Sequence, residues 1–155
     1  MEPLKIVNLY IETDLHGPRR QDGIAMYILE AQTSKGAVTR DKMIPIPATT
    51  EHHLTLEALE DAFERLTQCC QVEVWLHDRY VSDAISSGLL QQWQLRDWQS
   101  AKGKPVADAD IWREIAVRMR EQVVTLHPVE EHHGYRSWMQ EQIKKYKRDT
   151  LAGRR

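Results

Sequence analysis

Apolar residues change their period once along this chain, and that change constrains the fold more than any other feature. From Ile6 to Asp14 they alternate, with Val7, Leu9 and Ile11 on one side and Asn8, Tyr10, Glu12 and Asp14 on the other. Ile24 to Ala31 and Ala37 to Ile46 read as two further strands, with Ser34-Lys35-Gly36 as the turn between them. These three segments predict an antiparallel meander. Helical spacing takes over at Leu56, Leu59, Ala62, Phe63 and Leu66, with Thr49 or Thr50 as the cap. Val72 to Leu76 is a short strand rich in β-formers. Tyr80 to Gly88 and Leu89 to Trp98 read as short helices, and residues 99–107 as a loop that ends at Pro105. Trp112, Ile115, Ala116 and Met119 mark one face of a helix capped by Asp108 or Asp110. Val123 to Leu126 is the last strand and Ser137 to Lys147 the last helix. The order β-β-β-α-β-α-α-α-β-α predicts an α/β fold in which a mixed five-stranded sheet, a meander followed by parallel strands, carries helices on both faces.

Length and charge narrow the function classes. A chain of 155 residues buries roughly 70% of its unfolded surface and needs no metal or disulfide to fold. No repeat and no Gly/Ser/Pro linker divides it, so residues 1–155 are expected to form a single domain. Lys and Arg total 21 and Asp and Glu 23, a net charge of −2 that excludes a polycationic nucleic-acid coat. The charge is uneven. Residues 144–155 form a basic C-terminal extension in which Lys144, Lys145, Lys147, Arg148, Arg154 and Arg155 face one acid, Asp149, which leaves −7 on residues 1–143. Such a tail suits phosphate contacts, or else a solvated, partly frayed helix. No apolar run is long enough to span a bilayer, so no membrane partner is expected. Met1-Glu2-Pro3-Leu4-Lys5 lacks a secretion signal, and a bridge between the adjacent Cys69 and Cys70 would be strained. Both point to a reduced, cytoplasmic setting, with the cysteines packing at a helix end.

The densest motif runs Trp93-Gln94-Leu95-Arg96-Asp97-Trp98-Gln99-Ser100-Ala101-Lys102-Gly103-Lys104-Pro105-Val106-Ala107-Asp108-Ala109-Asp110-Ile111-Trp112. It resembles the basic handle of the bacterial type I branch of the ribonuclease H family, a gapless W…R.W..A..KPV…D.W pattern. Tyr80-Val81 also sits where that family has Tyr-Val. The resemblance implies a ribonuclease H-like fold and an ancestral chemistry, hydrolysis of the RNA strand of RNA–DNA hybrids by two Mg²⁺ ions. Such ions take hard oxygen ligands, so the family gathers four carboxylates from the end of strand one, the start of the first helix, the end of strand four and the start of the last helix.

Carried over one at a time, those four catalytic positions fall on Asp14, Thr55, His77 and Gln142. Asp14 closes Ile11-Glu12-Thr13-Asp14 and matches the family's Thr-Asp. Thr55, in Leu54-Thr55-Leu56, stands in place of Met-Glu-Leu. His77 aligns through Tyr80-Val81, and Gln142 by counting on from His132 and Gly134. Leu15 replaces the family's Gly, and Glu51-His52-His53 its hybrid-contacting Asn. One carboxylate of four stands in register. A rewired metal set would draw on Asp14, Glu12, His77, Asp78, Glu51 and Glu141, although strand alternation turns Asp78 away from His77. Histidine ligands would favour Mn²⁺ or Zn²⁺ over Mg²⁺. In the handle, the resemblance implies Trp93, Arg96, Trp98, Lys102 and Lys104 as the nucleic-acid-binding residues, with packing of the handle's helices the expected role of at least two of Trp93, Trp98 and Trp112. The resulting expectation is a degenerate active site that needs no cofactor, with Mg²⁺ or Mn²⁺ only if activity remains. The partner is an RNA–DNA hybrid or another duplex. An active but rewired nuclease and a protein-interaction module with a protein partner stand as the alternatives.

Overall fold

The computed structural model describes residues 3–152. Its strands are β1 (Lys5–Thr13), β2 (Gln21–Thr33), β3 (Gly36–Thr49), β4 (Cys70–Trp75) and β5 (Val123–Leu126). Its helices are α1 (Glu51–Glu64), α2 (Arg79–Ser86), α3 (Leu89–Leu95), α4 (Ala109–Met119) and α5 (Arg136–Ala152). The element order is the one that the hydrophobic periods imply. The sheet runs β3-β2-β1-β4-β5. The β3-β2-β1 ladders are antiparallel, and the β1-β4-β5 ladders are parallel.

Both faces of β1 are covered. Val7, Leu9 and Ile11 join Tyr27, Val72 and Val74 against Leu56, Leu59 and Phe63 of α1, with Trp112 and Ile115 of α4 in the same cluster. On the other face Tyr10, Met26 and Ile28 meet Met139 and Ile143 of α5. Glu12, which alternation puts on this second face, is therefore buried with only 1% of its surface exposed. Thr50 caps α1 by accepting the His53 N–H.

Three local features differ from the sequence reading. Cys70 opens β4 and is buried while Cys69 is exposed, and both are free thiols. Asp108 precedes α4 with φ of 59° and makes no side-chain cap; its carboxylate is taken by His53 Nδ1 at 2.9 Å. Residues 144–152 continue α5 through Ala152 instead of leaving it as an extension, whereas Arg154 and Arg155 lie outside the described residues. Among the described residues no helix is long and apolar enough to cross a membrane.

Candidate functional site

Parallel pairing of β1 with β4 decides what faces what. Tyr10 lies opposite Trp75, and continuing that register brings Glu12 beside His77. The sheet splits its chain connections at β1 and β4, and a crevice at the carboxyl end of such strands is a usual ligand site. Here the crevice is lined by Ile11, Glu12, Thr13, His16, Glu51, Thr55, His77, Asp78 and Arg136.

Glu12 is the hub. Its Oε2 accepts from His77 Nε2 at 2.6 Å and from His133 Nε2 at 2.9 Å. Its Oε1 accepts from Gln140 Nε2 at 2.9 Å and has Arg136 Nε at 3.7 Å. Burial pushes this carboxyl up, but the hydrogen bonds from His133, His77 and Gln140 outweigh it and hold it at about 2. Glu12 is thus ionised at neutral pH.

The partners fix the protons. His77 Nδ1 lies 3.0 Å from the Val129 carbonyl oxygen, which can only accept, so Nδ1 carries a proton. Nε2 faces an ionised carboxylate and carries one too. His77 is an imidazolium, and the bond to Glu12 raises its pKa against the opposing effect of burial. His133 differs, because its Nδ1 accepts the Tyr135 backbone N–H at 3.2 Å. Its single proton sits on Nε2 and goes to Glu12, so this ring is neutral.

This arrangement sets a pH dependence. His77, raised above its ordinary 6.5, contributes stability that is complete below 6.5 and lost as pH rises through its folded value. Glu12, lowered from 4.5, contributes stability present above 4.5 and lost as pH falls through about 2. Thermal melts should therefore be highest between about pH 5 and 6.5 and decline on the alkaline side. His77→Gln should flatten that alkaline decline; an unchanged slope in this variant would show that His77 is not the group responsible.

The sequence-derived positions are distributed as follows. Thr55 and His77 line the crevice with Glu12. Asp14 does not meet them. It follows the end of β1, its Oδ1 accepts the Ile24 N–H at 2.7 Å and its Oδ2 lies 3.9 Å from Lys147. It lines a separate cavity of about 270 Å³ with Ile24, Pro45, Pro47, Tyr146 and Leu151. Gln142 is partly buried and Glu141 exposed, whereas Gln140 reaches Glu12. Two residues along an α-helix are about 200° apart, so Gln140 and Gln142 cannot both face the crevice. Asp78 does join it, because β4 ends at Trp75 and alternation no longer governs position 78. Asp78 caps α2 by accepting the Val81 N–H and also pairs with His52 Nδ1 at 2.5 Å.

In the handle, Trp93 is buried, 5.4 Å from Trp112 between ring centroids, so its ring is spent on packing and cannot stack on a base. Trp98 is half-buried under the Arg113 guanidinium, at 5.5 Å. Trp98 and Asp97 both have positive φ, 62° and 54°. That turn lets Gln99 bridge to Pro105, with Gly103 at φ 75° between them. Lys102 and Lys104 stand on this small hairpin, and they and Arg96 are exposed. Sequence reasoning missed His133 and Gln140. Gln140 directly follows Met139 on α5, and His133 sits ahead of that helix, so no period in the sequence marks them as a pair.

Two groups of acidic and histidine side chains could hold a metal ion: Glu12, His77 and His133, and Glu51, His52 and Asp78. The first does not suit Mg²⁺. Mg²⁺ takes oxygen ligands, and this group offers one carboxylate whose oxygens are already occupied beside an imidazolium and a guanidinium. His133 Nε2 would have to surrender its proton while its Nδ1 stays committed to the Tyr135 N–H.

A mixed five-stranded sheet with this strand order, helices on both faces and a charged crevice beyond β1 and β4 defines the ribonuclease H-like fold. The RNase H family model matches residues 6–146, and the chain belongs to that family. A ribonuclease H of Chlorobium phaeobacteroides (strain BS1) is 35% identical over 97 residues, which are 63% of this chain and 66% of that protein. The match thus spans just under two thirds of that relative's length. Among solved structures, LC9-RNase H1, described as a type 1 RNase H with the type 2 active-site motif, superposes with a TM-score of 0.74. It is 20% identical and covers 94% of this chain and 73% of its own. A foamy viral protease-reverse transcriptase in complex with RNA/DNA hybrid gives a TM-score of 0.61 at 15% identity, over 84% of this chain and 18% of that one.

Proposed function

We propose that this protein binds RNA–DNA hybrid, or another nucleic-acid duplex, without hydrolysing it. The observation that carries the proposal is the Glu12 carboxylate already taken by His77, His133 and Gln140. In this reading Glu12, Thr55, His77 and Gln140 stand in for the carboxylates that the family gathers around two metal ions, and His77 supplies the positive charge itself. An imidazolium 2.6 Å from the carboxylate neutralises it and repels a second cation from the same space. What remains for nucleic acid is electrostatic. Arg96, Lys102 and Lys104 project from the handle, and Lys144, Lys145, Lys147 and Arg148 are exposed along α5. These groups suit phosphate contacts, which position a duplex and carry no base sequence.

Fluorescence anisotropy with a labelled hybrid tests this reading. Binding should be saturable at low salt in EDTA, unchanged by Mg²⁺, and leave the hybrid intact. Absence of binding even at low salt would move the function to a protein partner contacted by the acidic body. Binding that requires Mg²⁺ and ends in cleavage would restore the nuclease.

A further inference from the structure

The second side-chain group beside the crevice has the opposite electrostatics. Glu51 is the first residue of α1, His52 follows it, and Asp78 lies beyond β4; each offers one ligand atom, and the three atoms lie within 4.8 Å of one another. The Asp78 carboxylate is 1% exposed, and His52 Nδ1 meets its Oδ2 at 2.5 Å. Among the described residues neither Glu51 nor Asp78 pairs with a lysine or arginine, in contrast to Glu12 with Arg136. Two carboxylates therefore crowd one imidazole, with no fixed cation to balance the surplus negative charge.

The ring nitrogens also differ from those of the Glu12 group. Among the described residues no main-chain N–H holds a lone pair of His52, as the Tyr135 N–H holds that of His133. His52 is 41% exposed at its side chain and its Nδ1 donates to Asp78 Oδ2; a cation seated between them displaces that proton, and the solvent-facing Nε2 can carry the ring's proton instead. We infer that Glu51, His52 and Asp78 form a binding site for one borderline divalent cation of the Zn²⁺ type. One imidazole nitrogen with two carboxylate oxygens selects such an ion over Mg²⁺ and Ca²⁺, which take oxygen alone. Three protein ligands leave further coordination positions open toward the crevice. The site uses no residue of β1 or α5 and does not depend on whether the protein binds hybrid.

Isothermal titration calorimetry of Zn²⁺ into the metal-free protein tests the site. One ion should bind per chain, with Mg²⁺ failing to compete. Glu51→Gln and His52→Ala should each weaken binding by roughly tenfold or more, while the exposed Glu141→Gln leaves it unchanged. Circular dichroism on each variant separates loss of the site from loss of the fold. Co²⁺ supplies a second readout, a visible d–d absorption band that disappears in His52→Ala. Zn²⁺ binding that survives both variants, or that is abolished by alkylating the exposed Cys69, overturns the proposal. So does the absence of any stoichiometric binding.

Discussion

Replacing Glu12 with alanine will destabilise the protein by about 3–5 kcal/mol, the cost of removing one partner from a buried ion pair. The carboxylate is almost fully buried and accepts from His77, His133 and Gln140 with Arg136 close by. Without it an imidazolium, a guanidinium and two neutral donors share a crevice with nothing to receive them. A hydrolytic site built from several carboxylates responds with the opposite sign, because removing one relieves repulsion that only the metal ions had balanced. Chemical denaturation of wild type and Glu12→Ala in EDTA distinguishes the two. A variant as stable as wild type, or more so, would mean that the crevice is poised for metal and not for protons.

The triple change of Arg96, Lys102 and Lys104 to alanine will largely abolish hybrid binding at physiological salt. Each phosphate neutralised by a side chain contributes about 0.9 to the slope of log affinity against log salt. Losing three contacts therefore flattens that slope by about 2.7, and between 50 and 200 mM salt three contacts correspond to roughly a fortyfold change in affinity. All three side chains are exposed, so the fold should be unaffected. The comparison to make is the salt slope itself, wild type against variant. Parallel slopes would place the duplex away from the handle, on α5 or β3.

The order and type of the ten elements were legible because each carries its own period. Strands read in twos, helices in threes and fours, and the Trp-rich handle tolerates no shift of register. The site was only partly legible, for a physical reason. Thr13-Asp14 matches the family's dipeptide, but β1 ends at Thr13, and the backbone N–H of Ile24 draws Asp14 aside. What brings Glu12 to His77 is the parallel register of β1 against β4, which pairs residues 65 apart in sequence and leaves no local trace. Asp78 was misjudged for a related reason, since alternation holds only while the strand lasts. His133 and Gln140 answer to the Tyr135 turn at the head of α5, and the count from His132 overshoots Gln140 by two residues, which lands on the wrong helical face. The one clue visible from the start was that three of the four matched positions, Thr55, His77 and Gln142, carried no carboxylate.

Incubation of an end-labelled RNA–DNA hybrid with the protein in Mg²⁺, and then in Mn²⁺, bears most directly on whether the crevice is filled by protons. Glu12→Gln run in parallel excludes a contaminating nuclease. An intact hybrid in both ions, still retained by the protein, is the expected result. Cleavage by the wild type that disappears in Glu12→Gln would contradict it, and would mean that Glu12 gives up its histidines to hold a catalytic metal.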